Sequence, residues 1–342
     1  MPTLSSVKIL LIYTGGTIGM IKDFESGALR AFDFNQLLEK IPELRLLECA
    51  IDTVSFSQPI DSSNMSPRHW VEIARIIEAR YEDFDGFVVL HGSDTMSYSA
   101  SALSFMLGGL AKPVIFTGSQ LPIGDLRTDA KENLITAIQL AALRDAGRPV
   151  VQEVGLYFEY KLYRGNRTTK INAENFNAFA SPNFPALAES GVHLKVNREF
   201  LLSGGTGLNV RTDFDDAVMI VQLFPGLSAA VFEAVLRLKG LRGVVLETYG
   251  SGNAPSDDWF IDALRGAIAG GLLVVNVTQC SGGRVQMGQY ETSTRLREIG
   301  VISGDDITTE AAVTKMMFLL GSGITGSAFK VAFEQSIAGE MS

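Results

Sequence analysis

Short apolar runs alternate along this chain with stretches in which apolar residues recur every three to four positions. The runs are VKILLIY at 7–13, GFVVLHG at 86–92, PVIFTGS at 113–119 and EVGLYFEY at 153–160. Each is short, largely apolar and bounded by glycine or polar residues, which predicts strands buried on both faces of a parallel sheet. Between them, SPRHWVEIARIIEARY opens with Ser66 as N-cap and Pro67 at the first helical position. DTMSYSASALSFML and RTDAKENLITAIQLAALRDAG predict the next two helices, the latter ended by Gly147 and Pro149.

The pattern breaks between 181 and 214, where prolines, glycines and short strand-like pieces predict an edge hairpin followed by a linker. It resumes with AVMIVQLF, the helix SAAVFEAVLRLKG, GVVLETYG, the helix SDDWFIDALRGAIAGG and LLVVNVTQCSGG, and two further helices are expected at 305–320 and 326–338. The expected fold class is α/β in two domains, a larger N-terminal flavodoxin/Rossmann-like parallel sheet with an edge hairpin and a smaller C-terminal α/β domain. The boundaries implied are 1–205 for the first domain, 206–214 for the linker and 215–342 for the second.

Composition narrows the classes. The 342 residues carry 29 Lys+Arg against 38 Asp+Glu, a net charge of −9 without any basic run, which argues against nucleic acid as a partner. No apolar stretch is long enough to span a bilayer, and the N-terminus reads as a strand rather than a signal peptide, so a cytoplasmic location is expected. Cys49 and Cys280 have no CxxC spacing and read as reduced, buried thiols. His69, His91 and His193 are not spaced with Cys, Asp or Glu as a ligand set, so neither a metal nor a cofactor is expected.

Polar and glycine residues cluster just after the strands, where open parallel sheets bind ligands: YTGGT, LHGSDT, FTGSQ, ETYGSGN and VTQCSGG. YTGGTIG at 13–19 matches neither dinucleotide nor P-loop spacing, which leaves Thr14 and Thr17 on a tight turn. An ordinary turn with capping hydroxyls explains it as well as a presented nucleophile does. HGSDT places Ser93 and Asp94 at a helix start, where an Asp is often simply a cap. DSSNM, with Asp61, Ser62 and Ser63, reads equally as a carboxylate cradle or as helix capping, and Lys170 of RGNRTTK as a loop lysine after the fourth strand.

Taken together, YTGGTIGM, DSSNM, GFVVLHGSDTMSYSASALSFML, KPVIFTGSQLPIGDLRTDAKEN, LYRGNRTTK, ASPNFP, YGSGNAP and the VNVTQCSGGRVQMGQY segment resemble the L-asparaginases, in particular the cytoplasmic type I bacterial enzymes, in order and over nearly the whole chain. The resemblance implies hydrolysis of L-asparagine, without a cofactor, to aspartate and ammonia through an acyl-enzyme, with Thr17 as nucleophile. It implies a second catalytic group of Ser93, Asp94 and Lys170, in which the lysine eases deprotonation of the hydroxyl and Asp94 binds the substrate α-ammonium. It further implies that Asp61, Ser62 and Ser63 receive the α-amino and α-carboxylate groups, and that the protein is a homotetramer built from close dimers. The chemistry is coherent by itself, because a threonine hydroxyl needs both a proton acceptor and donors for the developing oxyanion. An amino-acid-binding sensor and an amidotransferase subunit on the same fold are the competing readings; the second would need RNA contacts, which the net charge disfavours.

Three departures from the family pattern stand out. Ser93 replaces the usual first threonine of HGTDT and lacks the methyl that restricts its rotamer. In the loop after TGGT the place of a lid tyrosine falls on Ala28, with Phe24 and Leu29 the nearest large side chains, and residues 20–31 are expected to form a mobile lid. Some cytoplasmic members are activated by asparagine at a second site; Thr169 and Cys280 fit that site, but Glu247 stands where it has an arginine, so no such activation is expected.

Overall fold

Ile9 to Tyr13 are all buried, as expected of a strand with neighbours on both edges and cover on both faces. This strand, β1 (Val7–Gly15), lies in an eight-stranded sheet with β2 (Cys49–Ile60), β3 (Gly86–Leu90), β4 (Val114–Thr117), β5 (Val154–Phe158), β6 (Lys161–Arg164), β7 (Ala188–Ser190) and β8 (Leu194–Val196). The computed structural model describes residues 7–22, 29–31, 41–289 and 291–342. Two compact units are present, Met1–Ser181 with Pro185–Thr212, and Pro182–Phe184 with Asp213–Ser342.

The strand order is β8-β7-β6-β5-β4-β3-β1-β2, with β1 to β5 mutually parallel and β6 to β8 antiparallel. Its parallel part follows the doubly wound order 2-1-3-4-5, so the chain reverses its direction of winding between β1 and β3. That switch point places Thr14–Gly19 and His91–Thr95 side by side at the carboxyl ends. The β7–β8 pair is the expected edge hairpin.

Helix α1 (Pro67–Arg80) buries His69, Trp70, Ile73, Ala74 and Ile77 at helical spacing, starts at Ser66 and carries Pro67 in its first turn. Helix α2 (Met96–Met106) is buried on nearly every side. Helix α3 (Ala130–Ala142) stops short of Gly147: the Arg144 guanidinium bonds the carbonyls of Ala141 and Leu143 at 2.8 and 3.0 Å and closes the helix there. Gly147, at φ +79°, serves instead the turn of a small hairpin between Arg144–Asp145 and Arg148–Pro149.

The second unit holds a four-stranded parallel sheet, β9 (Val218–Gln222), β10 (Gly243–Thr248), β11 (Leu273–Thr278) and β12 (Ile302–Ser303), in that order. Helices α4 (Ala229–Leu236), α5 (Asp258–Ala269) and α6 (Glu291–Glu298) contribute Phe232, Phe260, Ile261, Leu264 and Leu296 to one core, in which the Phe232 and Phe260 rings stack 4.9 Å apart. Helix α7 (Thr309–Gly321) packs on this sheet, buried along almost its whole length, and α8 (Gly326–Phe333) follows. α8 ends earlier than the pattern predicts because the buried Lys315 ammonium takes the carbonyls of Phe333 and Gln335, each at 2.7 Å. None of the helices among the described residues is long and apolar enough to cross a membrane.

Strand β2 and helix α6 go beyond what the hydrophobic pattern predicts. β2 forms the outer edge beside β1, partly or fully exposed at every residue but Phe56, with apolar and polar residues mixed and Pro59 near its end. α6 is short and mostly polar, burying only Ser293 and Leu296. The thiols are not buried as expected: Cys49 starts the partly exposed edge strand, and Cys280 lies exposed just beyond β11.

Candidate active site

Thr14 ties the switch point together, its hydroxyl donating to the Leu90 carbonyl at 3.0 Å. At Gly15, φ +132°, an added Cβ would fall 2.0 Å from the Ile60 carbonyl oxygen. At Gly16, φ +87°, it would fall 2.5 Å from the Gly92 Cα, and at Gly92 it would fall 2.5 Å from the Ser62 Oγ. The space these glycines provide is therefore filled by the chain itself, three segments meeting in close contact, rather than left open for a ligand. Thr17 opens the 3₁₀ turn Thr17–Gly19 immediately after this contact and is half-buried. Gly19 rests against the buried Tyr13 ring, whose phenol burial pushes up to about 12.

Lys170 is not on a loose loop. It lies in a short strand, Thr169–Lys170, paired antiparallel with Phe179–Ala180. Ahead of it Asn166, Arg167 and Thr168 are buried, and the Thr168 hydroxyl bonds the Ser97 hydroxyl of α2 at 3.1 Å and the Gly165 carbonyl at 2.9 Å. So anchored, the Lys170 ammonium donates to the Ser93 Oγ at 2.9 Å and to the Asp94 Oδ1 at 2.7 Å. Lys170 is 16% exposed and Asp94 65%. An ion pair so open to water adds on the order of 1 kcal/mol or less to stability, so its consequence is orientation. Asp94 is thus a lysine partner and caps no helix through its side chain.

The DSSNM segment divides its roles. Asp61 caps the 3₁₀ turn Ser62–Asn64, its Oδ1 accepting from the Ser63 N–H at 2.9 Å. Ser62 is buried against Gly92, and its carbonyl accepts from the Thr95 hydroxyl at 2.8 Å. Asp61 and Ser63 are exposed. The structure thus joins Ser93, Asp94 and Lys170 in one bonded cluster and sets Ser62 and the Thr17 turn against Gly92, directly before it.

Two sets of contacts around this cluster are not predicted by the sequence. Gln120, in the FTGSQ loop after β4, accepts from the Ser93 hydroxyl at 3.2 Å. His91 is fully buried behind Gly92: its Nδ1 lies 2.7 Å from the Gly92 carbonyl and its Nε2 2.8 Å from the Ser99 Oγ, which accepts from the Trp70 indole at 2.9 Å. A carbonyl only accepts, so Nδ1 carries the ring proton and Nε2 accepts from Ser99. Burial pushes this imidazole down to about 4. His69 instead serves α1, where its Nδ1 accepts from the Ser66 N–H at 3.1 Å, and His193 sits at the turn of the edge hairpin. Among the described residues no group of three or more His, Cys, Asp or Glu side chains is placed to hold a metal ion. Ala28 and Phe24 of the expected lid lie outside the described residues; the flanking pieces Met20–Lys22 and Leu29–Ala31 pair antiparallel.

Fold and cluster together define a class: a doubly wound α/β protein with a second parallel-sheet unit, in which glycine-packed turns bring hydroxyls and a lysine to the switch point of the larger sheet. Family models agree with it, Asparaginase, N-terminal, matching residues 8–201 and Glutaminase/Asparaginase C-terminal domain matching 217–333. The chain belongs to the asparaginase family. It is 42% identical to L-asparaginase 1 of Escherichia coli (strain K12) over 97% of each chain. The crystal structure of L-asparaginase I from Vibrio cholerae superposes with a TM-score of 0.90 at 38% identity, covering 99% of this chain and 100% of that one. A glutamyl-tRNA(Gln) amidotransferase component of Metallosphaera sedula is 34% identical over 92% of this chain but only 72% of its own.

Proposed function

We propose that the protein hydrolyses L-asparagine to L-aspartate and ammonia, with Thr17 as nucleophile. The observation that carries the reading is the Lys170–Ser93–Asp94 cluster, bonded at 2.9 and 2.7 Å, beginning one residue after the glycine that packs against the Thr17 turn. In this reading the Thr17 Oγ attacks the side-chain carbonyl carbon of asparagine while its proton is relayed through the Ser93 hydroxyl towards the departing nitrogen, and the Lys170 ammonium on Ser93 steadies the negative charge that develops on the way. Backbone N–H groups at the strand ends hold the oxyanion. The C–N bond then breaks, nitrogen leaves as ammonia with the transferred proton, and water cleaves the acyl-threonine ester to regenerate the hydroxyl. Asp94, 65% exposed beside the cluster, retains acceptor capacity for a substrate α-ammonium, while Asp61 and Ser63 are open to the ligand's polar end.

An amidotransferase role is less supported, because the L-asparaginase 1 match runs the length of both chains and the amidotransferase match does not. A cytoplasmic homotetramer is the assembly and location that accompany this reading. Ammonia release from L-asparagine by wild type and Thr17→Ala, with aspartate binding by calorimetry on both, tests it. Turnover by wild type alone, with aspartate still bound by the variant, is the expected result. Binding without turnover in both would overturn hydrolysis and leave an amino-acid sensor.

A further inference from the structure

We propose that Gln120 is a positioning residue for Ser93, holding the hydroxyl in the rotamer that a threonine's methyl would otherwise impose; the proposal deepens the hydrolase reading and rests on it. The two ends of the Gln120 carboxamide have different partners. Its Nε2 donates to the carbonyls of Ala173 and Asn175, at 3.2 and 3.0 Å. Carbonyl oxygens only accept, so the amide is oriented and Oε1 is the end that faces Ser93, at 3.2 Å.

Ser93 has a single proton, and it is committed to Gln120. The Lys170 ammonium therefore donates to the Ser93 oxygen and does not receive from it in the resting arrangement. One side chain thus fixes both the rotamer of Ser93 and the direction of its bond to Lys170. It also ties Ser93 to the turn that follows Lys170, a turn held from within by the Asn172 Oδ1, which accepts from the Glu174 and Asn175 N–H groups at 2.8 Å each.

Gln120 is itself anchored. The buried Asp129 carboxylate accepts from the Gln120 N–H at 2.9 Å and the Leu121 N–H at 3.1 Å. Asn133 of α3 bonds Asp129 at 3.2 Å and the Gly118 carbonyl at 3.0 Å, fixing the loop to the end of β4. A serine, free at χ1 where threonine is restricted, is the residue that needs such a partner.

The test is a double-mutant cycle on ammonia release. Gln120→Leu removes the neutral hydrogen bond to Ser93 together with the two to the Ala173 and Asn175 carbonyls, and through the first kcat is expected to fall about tenfold with KM changed less than about twofold. Ser93→Thr retains activity, Ser93→Ala loses it, and Gln120→Leu loses only about twofold when introduced together with Ser93→Thr. Equal losses in the two backgrounds, or an unchanged kcat in Gln120→Leu, would overturn the proposal. A second readout needs no turnover: the Gln120 side-chain amide resonances, assigned by their absence in Gln120→Glu, are expected to shift in Ser93→Ala of the full chain. If they stay in place the contact is absent in solution and the proposal fails. Wild-type turnover of L-asparagine decides the hydrolase reading separately, and the amide measurement judges Gln120 whichever way that comes out.

Discussion

Replacing His91 by glutamine should remove a pH-dependent part of the stability that the ring alone supplies. Both ring nitrogens are matched only in the neutral form: Nδ1–H donates to the Gly92 carbonyl in either charge state, but Nε2 accepts from Ser99, whose oxygen already accepts from Trp70. Protonating Nε2 would set a second donor against an oxygen whose own proton has then lost its acceptor, and it would place a charge in a fully buried site. Burial accordingly takes the ring from 6.5 down to about 4.

The sign follows from proton counting. Between about 4 and 6.5 the unfolded chain binds a proton at this position and the folded chain does not, so this contribution is full above 6.5 and is lost as the pH falls towards 4. At about 1.36 kcal/mol per unit the whole span is worth about 3 kcal/mol, most of it gone by roughly pH 4.5. Urea unfolding of wild type and His91→Gln, repeated from pH 7.5 to 4.5, isolates this, because the other titrating groups cancel in the difference between the two proteins. Wild type should lose about 2–3 kcal/mol relative to the variant across that range. A difference that stays flat within about 0.5 kcal/mol, or widens in favour of wild type on acidification, would refute the assigned tautomer and burial.

Other consequences are as direct. Gly92→Ala places a Cβ 2.5 Å from the Ser62 Oγ and 2.7 Å from its Cβ, so it should cost about 1–3 kcal/mol in melts. Adding Ser62→Gly should recover most of that, whereas Gly16→Ala, at φ +87° against Gly92 backbone, should cost at least about 3 kcal/mol without such a rescue. Lys315→Met should cost about 3–5 kcal/mol in chemical unfolding, because it leaves the fully buried Glu340 carboxylate, 2.5 Å from that ammonium, without a cation. Asparagine saturation curves should be hyperbolic, since Glu247 carries a carboxylate, bonded by the Thr309 hydroxyl at 2.6 Å, that cannot pair with an effector carboxylate; a sigmoidal curve would contradict this.

How far these features were legible beforehand depends on which physics set them. Strands β1, β3, β4 and β5 and the start of α1 announce themselves because continuous burial and an N-cap with Pro67 are local signatures. β2 does not, because an edge strand beside β1 needs no continuous apolar run and all its residues but Phe56 are partly or fully exposed. Nor does the end of α3, where a side chain, Arg144, closes the helix before the glycine that marks the next turn.

The site divides along the same line. Thr17, Ser93, Asp94 and Lys170 each sit in a short motif, yet nothing local requires Lys170 to meet Ser93 across 77 positions of chain. That meeting is produced by Thr168 bonded to α2, by the short strand that holds Lys170, and by Gln120 reaching both Ser93 and the turn beyond the lysine. Gln120 reads in sequence as one more polar residue after a strand, because its task exists only once two distant segments are beside it. The glycines are likewise explained only by tertiary packing: the space at Gly15, Gly16 and Gly92 is taken by Ile60, Gly92 and Ser62. Backbone packing at the switch point therefore fixes the geometry of the Thr17 turn before any ligand arrives, which is the preorganisation that the proposed role of Thr17 as nucleophile requires.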